Sequence, residues 1–330
     1  MNDRAIGLLE QYEIEVLSTR KGRGAILCDT DRGCLIFKEY QGNEKRLAIQ
    51  NRLLSQLKER DLVKVEAIIP TREGELQVRD TDGTCYVLKT YREGRECNIY
   101  EKAECMEAVR VLARLHEGME LELLPGEQPA GYSQAREYEK RNRELKKVRK
   151  YLQQKSQKTG FEISLLNCYD YFLEQAFSVT EGFGAYQAIM DKEACGKSKS
   201  GETYSHGDYQ YHNILFDGRE WFIINFEKCI PDNPIRDLYL LLRKLLEKSN
   251  WSLSLGTDLI HAYEKEQPIS ALSRIDLYYR LAYPEKFWKI VNFYYNSGKA
   301  WIPGRNQEKL EKLIAQEQEK KVFLEEAFRI

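Results

Sequence analysis

Ser205-His206-Gly207-Asp208-Tyr209-Gln210-Tyr211-His212-Asn213, running into Ile214-Leu215-Phe216, an Asp217-Gly218 turn and Trp221-Phe222-Ile223-Ile224, is the stretch that decides how this chain folds. The first nine residues fit H-x-D-x-x-x-x-N. The rest reads as a hairpin, two apolar runs joined by the Asp-Gly pair that tight turns favour. A loop of this spacing suits phosphoryl transfer: Asp208 would accept or orient the proton of an acceptor hydroxyl, and Asn213 would help hold magnesium. The second strand of the hairpin would end at the same metal, and the residue there is Asn225. An HxD alone recurs by chance, whereas HGD with Asn at this offset and a hairpin behind it meets several conditions at once.

Upstream, from Glu13 to Tyr91, short β-branched and aromatic runs (IEVLS, AILCD, CLIFKEY, VEAII, ELQVRD, CYVLKTY) alternate with Gly- and Asp-rich turns. Such runs predict an antiparallel sheet. One helix interrupts it at about residues 44 to 59, where Leu47, Leu53, Leu54 and Leu57 fall near helical spacing. Lys38 lies on the third strand. The preceding β-turn-β, through Lys21, Gly22 and Gly24, is placed to cover phosphates, although it lacks G-x-G-x-x-G and only strand order supports it. After Gly94 nearly everything to Ile330 reads as helix except residues 213 to 225. Helices are expected to end near His116 and to cover 165 to 190, 235 to 248 and 271 to 296, with a polar surface loop at 191 to 202. The aromatic residues from Tyr278 to Trp301 recur at spacings that give a helix one apolar face, a core pattern.

Composition narrows the class. The chain has 330 residues, 42% of them hydrophobic and 11% aromatic, enough to fill a substantial core. Its 51 basic and 52 acidic residues nearly cancel, so no overall field draws it to nucleic acid or to a membrane surface. Asp3, Glu10, Glu13 and Glu15 interrupt the first 17 residues, which excludes a secretory signal, and no apolar run approaches the ~18 residues of a membrane span. A soluble, intracellular protein is expected. The eight cysteines show no CxxC pair and read as reduced, mostly buried thiols. One local charge imbalance stands out: residues 136 to 158 hold ten basic side chains against three acidic ones. That is a solvated helix face or a dock for an acidic partner.

HGDYQYHNILF, IINFEKCIPDNPIRDLYLLLRK, LARLH (Leu112 to His116), YVLKTYREGRE (Tyr86 to Glu96) and YPEKFWKIVNFYY (Tyr283 to Tyr295) together resemble the CotS-type spore coat proteins, relatives of aminoglycoside and choline phosphotransferases. The resemblance covers nearly the whole chain. It implies an α+β, protein-kinase-like fold of two lobes: a β-rich N-lobe at residues 1–91, and a mainly helical C-lobe at 92–330 with its catalytic loop at 206–213 and hairpin at 213–225. It also implies ATP and Mg2+ as cofactors. Lys38 would pair with the α- and β-phosphates, and a hinge near residues 88 to 94 would bring Leu88 and Thr90 to the nucleotide. His206, Asp208 and Asp237 would form the catalytic set, with Asp208 as the base and Asp237 supporting the loop from the next helix, and Asn213 would be a magnesium ligand. Other spore coat proteins are the implied partners, and the cytoplasm of the sporulating mother cell, then the spore coat, the implied location.

Two positions depart from the family pattern. Gln50 falls where a helix glutamate normally pairs with the strand lysine, although Glu44 lies nearby. Asn225 replaces the metal-binding aspartate of the family's IDFD segment, leaving INFE. Magnesium prefers anionic oxygen, so a neutral amide should weaken metal binding and the charge neutralisation that phosphoryl transfer needs. Glu227 has the right strand parity to compensate, but its backbone already lies in the following loop. Two readings stay open: a coat protein with weak or lost phosphotransferase activity, and an active ATP-dependent kinase of a small-molecule, sugar or protein hydroxyl.

Overall fold

The computed structural model describes residues 3–22, 24–124, 132–194, 201–297 and 303–329. It is an α+β fold with an antiparallel-sheet N-lobe and a helical C-lobe. Val16–Gly22 (β1), Ala25–Thr30 (β2) and Gly33–Glu39 (β3) form a meander. Gly24 at φ +69° and Gly33 at +95° close its turns in the left-handed region that favours glycine. Helix α1 (Glu44–Arg60) follows, capped by the Asn43 side chain accepting from the Arg46 N–H at 2.8 Å. Then come β4 (Lys64–Val65), β5 (Ile68–Ile69), β6 (Val78–Arg79) and β7 (Cys85–Thr90).

The main sheet has the order β1-β2-β3-β7-β5, with β6 also on β7, and every pairing is antiparallel. One face buries Leu35, Phe37, Tyr86 and Leu88 against Ala5, Leu9 and Tyr12, the first two from a 3-10 helix at Asp3–Gln11. Phe37 stacks on Tyr86 with centroids 5.2 Å apart, a geometry that adds ~1 kcal/mol beyond area burial. The other face carries Lys38 and Lys89. The register pairs Lys38 with Val87 and Ile36 with Lys89, which makes the two lysines diagonal neighbours.

Two expected strands differ. VEAII is not one strand: Val65 pairs in parallel with a C-lobe strand, Ile68 and Ile69 pair with β7, and Glu66 sits at the break. In ELQVRD only Val78 and Arg79 pair.

Farther along are β8 (Arg95–Glu96), α2 (Lys102–Glu117), β9 (Glu120–Glu122), α3 (Gln134–Gln154), α4 (Gly160–Ala194), β10 (Gly201–Ser205), β11 (Ile214–Phe216), β12 (Trp221–Ile223), β13 (Ile230–Pro231), α5 (Ile235–Lys248), α6 (Leu253–Glu266), α7 (Ala271–Ala282), α8 (Glu285–Asn296), α9 (Pro303–Ala315) and α10 (Glu317–Phe328). The hairpin β11–β12 extends into a sheet β4-β12-β11-β8. A third sheet, β13-β10-β9, was not expected, and its strand β10 delivers the chain to His206.

Two compact units divide the chain. The first comprises Met1–Pro129, Gly201–Leu241 and Ala262–Gln267, and so contains all three sheets and the 206–213 loop. The second comprises Ala130–Ser200, Leu242–His261 and Pro268–Ile330. Its helices pack on aromatic pairs: Tyr138 stacks on Tyr283 at 4.1 Å and Phe172 on Phe287 at 4.6 Å. Residues 271 to 296 form two helices instead of one, because Pro284 has no N–H to continue the ladder. Of the expected 191–202 loop, Asp191–Ala194 continue α4 and Gly201 begins β10. Residues 195–200, including Cys195, lie outside the described residues, as does Trp301. The seven described cysteines are free thiols, and burial pushes Cys97 up to about 12.

Candidate active site

Asp237, on the first turn of α5, is fully buried and holds the 206–208 loop by its backbone. Its carboxylate accepts from the His206 N–H at 2.6 Å and the Gly207 N–H at 2.8 Å, and meets His116 Nε2 at 3.2 Å. His116 is fixed in turn by the Tyr263 hydroxyl at 2.7 Å. Burial works to raise the Asp237 carboxyl, yet His116, His206 and the Gly207 N–H hold it below its ordinary value. A charge this deep survives because its partners satisfy it.

His206 is fully buried as well. Its Nε2 donates to the Ile224 carbonyl at 3.0 Å, and its Nδ1 accepts from the Asp208 N–H at 3.2 Å, so one tautomer ties the loop to the end of β12. Gly207 has φ +77°, and a Cβ there would stand 2.1 Å from the Lys228 carbonyl. Glycine is required at this position for both reasons.

Asp208 and Asn213 reach outward from this frame. Asp208 accepts from Gln210 Nε2 at 2.6 Å on Oδ1 and from Lys228 Nζ at 2.9 Å on Oδ2. Asn213 donates to the Asp208 carbonyl at 2.8 Å, which leaves its Oδ1 facing Asn225. Asn225 donates Nδ2 to that oxygen at 2.8 Å and accepts from Lys38 Nζ on Oδ1 at 2.9 Å. Lysine can only donate and a carbonyl only accept, so this chain of contacts fixes both amide orientations. Asn225 sits at φ +68°, a left-handed conformation that Asn and Asp tolerate.

Glu227 lies behind this row. Its Oε1 takes both Lys38 at 3.0 Å and Lys89 at 2.6 Å. Lys89, with no exposed surface, also donates to Glu66 at 2.8 Å. Glu66 accepts from the backbone N–H of Asn225 and of Phe226, both at 3.0 Å. Burial opposes the charge on Glu227, but the Lys89 and Lys38 ammoniums outweigh it and hold the carboxyl at about 2. Burial likewise opposes the charge on Lys89, and its two carboxylates still raise it. The carboxylate partner of Lys38 therefore comes from the loop after β12. Gln50 on α1, where a glutamate was expected, is buried, and its Nε2 has no hydrogen-bond partner among the described residues.

Lys38, Asp208, Asn213, Asn225, Glu227 and Lys228 line one cleft of about 470 Å³ within the first unit. Gly22 and His212 line it too. The other expected positions lie elsewhere. Leu88 is buried in the sheet core, because strand parity turns it away from the Lys38 face. Thr90 uses its hydroxyl to accept from the Ala67 N–H at 2.8 Å. Lys21 and Gly24 do not line the cleft, and Tyr91 and Glu96 do. His206 and Asp237 stand behind the loop and position it.

As a magnesium site the donor set fits poorly. The oxygens of Asn213 and Asn225 are neutral and each already accepts an N–H donor, and Oε1 of Glu227 takes two ammoniums. Among the described residues no three His, Cys, Asp or Glu side chains gather as metal ligands. Glu66 and Lys89 escaped the sequence reading. In sequence each is a single charge within an apolar run, VEAII and CYVLKTY, with nothing to mark it as buried.

A family model described as "Spore coat putative kinase YutH" matches residues 6–327. No curated protein matches the chain. Among solved structures, an aminoglycoside phosphotransferase from Alicyclobacillus acidocaldarius is 19% identical, with a TM-score of 0.81 over 97% of this chain and 94% of that one. Spectinomycin phosphotransferase in complex with ADP and spectinomycin is 12% identical, with a TM-score of 0.60 over 96% and 99%. Choline kinase from Cryptosporidium parvum is 14% identical, with a TM-score of 0.55 over 98% and 96%. At these identities the likeness establishes the fold.

Proposed function

The chain belongs to the family described as "Spore coat putative kinase YutH", and from that premise we propose that it is a coat-associated kinase-fold protein whose cleft takes a nucleotide and whose phosphotransferase activity is weak or lost. One observation carries this reading: the Asn225 amide bridges Lys38 and Asn213, where a metal-binding carboxylate is expected. Without that carboxylate, phosphoryl transfer lacks part of the charge neutralisation on which it depends. Solved relatives support the nucleotide, since ADP is bound to spectinomycin phosphotransferase and AMP-PNP with Ca2+ to an amicoumacin kinase. No helix of the described residues is long and apolar enough to cross a membrane.

Other coat proteins, or another acidic partner, would dock on α3. Arg136, Lys140, Arg143, Lys147 and Lys150 recur there at three- and four-residue spacings, opposite the buried Tyr138, Asn142, Leu145, Val148 and Leu152. Synthesis in the cytoplasm of the mother cell followed by deposition on the coat accords with the family.

The second reading, an active kinase of a small-molecule, sugar or protein hydroxyl, is favoured by Lys38, Asp208 and Asn213 lining one cleft. In that case Asp208 would release one present partner, Lys228 or Gln210, to accept the hydroxyl proton. ATP turnover by the wild type, Asn225→Asp and Asp208→Ala separates the two. Slow wild-type turnover that rises in Asn225→Asp supports the first reading. Robust magnesium-dependent wild-type turnover, abolished by Asp208→Ala, overturns it.

A further inference from the structure

Lys228 has no role in the kinase pattern set out above, yet it lines the cleft beside Asp208. Its backbone is held on two sides. The Lys228 carbonyl packs on Gly207, and the neighbouring Cys229 carbonyl accepts from Arg46 at 3.3 Å. Its side chain is two-thirds exposed, with an ammonium 2.9 Å from Asp208 Oδ2. An ion pair this open contributes little, so another anion can displace Asp208 from it.

Each ammonium near Asp208 already has a carboxylate beside it. The ammoniums of Lys38, Lys89 and Lys228 contact the carboxylates of Glu66, Asp208 and Glu227; Lys89 and Glu66 do not line the cleft, and Glu39 and Glu96 do. An aspartate at 225 would add a further negative charge beside Asn213, the charge a divalent cation would meet. With Asn225 that added charge is absent.

Resting on the nucleotide reading above, we propose that Lys38 and Lys228 form a metal-independent anion site that takes the phosphates of a nucleoside diphosphate or triphosphate. Lys38 supplies a fixed donor, oriented by Glu227 and Asn225. Lys228 supplies a swinging one, which exchanges Asp208 for phosphate when the ligand arrives. Charge-assisted bonds to phosphate need no metal if the ammoniums are in place beforehand.

Calorimetric titration of ADP, adenosine and inorganic pyrophosphate into the full chain, in EDTA and in magnesium, tests this, with Lys228→Met and Lys228→Glu as variants. Melting temperatures check that both variants fold. ADP should bind in EDTA within about threefold of its affinity in magnesium, and Lys228→Met should weaken ADP about tenfold while leaving adenosine unchanged. Lys228→Glu should weaken ADP further. ADP binding that needs magnesium, or that ignores both Lys228 variants, overturns the anion site. ADP binding no tighter than adenosine also overturns it and leaves the nucleotide reading standing. Pyrophosphate binding in EDTA that is lost in Lys228→Met, without adenosine binding, supports the anion site and sinks the nucleotide reading.

Discussion

Lys89 is the residue on which the site's electrostatics turn, since its ammonium bridges Glu66 and Glu227. Removing one partner of a buried ionic group strands the others, so Lys89→Met should lower unfolding stability by about 3–5 kcal/mol in urea titrations. Acid should weaken the same bridge. Glu227 titrates at about 2 in the fold against an ordinary 4.5. A depressed carboxyl contributes its stability above the unfolded value and loses it as pH falls through the folded one. The stability gap between wild type and Glu227→Gln should therefore shrink from pH 4.5 to pH 2, followed by melting temperature; a constant gap would reject this assignment. Gly207→Ala, strained at φ +77° and 2.1 Å from a carbonyl, should cost about 2 kcal/mol or more by the same urea assay. That one loop brings His206, Asp208 and Asn213 together could be read from their spacing. Lys89 and Glu66 were not legible, because a lone lysine or glutamate in a strand reads as exposed until the register shows which face is buried.

At the scale of elements, the legible parts were those with a strong period or a strong punctuation mark. The meander declared itself through Gly24 and Gly33, and α1 through its leucines. Asn43 supplies the helix with its first-turn cap, so Asn43→Ala should lower stability by about 1 kcal/mol in urea titration, and Asn43→Ser should restore most of it. The sheet β13-β10-β9 was illegible because its strands run two to five residues and carry too little alternation to register. The break at Tyr283-Pro284 was written in the sequence, but the aromatic period continued across it and masked the proline. The split of VEAII shows a different limit. Val65 and Ile68 belong to two sheets, and only tertiary pairing reveals that Glu66, between them, turns to the Asn225 backbone.

Across the whole molecule, on the proposed reading, kinase ancestry and kinase chemistry separate at one side chain. On that reading the loop, its Asp237 support and the strand lysine serve phosphotransfer, while the two amide oxygens that would meet a metal are neutral and each accept an N–H donor. Asn225→Asp tests that separation without straining the backbone, since aspartate also tolerates φ +68°. The substitution removes the N–H between Asn225 and Asn213 and sets two oxygens face to face, an arrangement that invites a cation. The decisive measurement is calorimetric titration of ADP into wild type and Asn225→Asp, each with magnesium and with EDTA. Magnesium should change the wild-type affinity by less than about threefold and raise that of Asn225→Asp about tenfold. A wild-type affinity that rises tenfold with magnesium and is unaltered by Asn225→Asp would contradict the account.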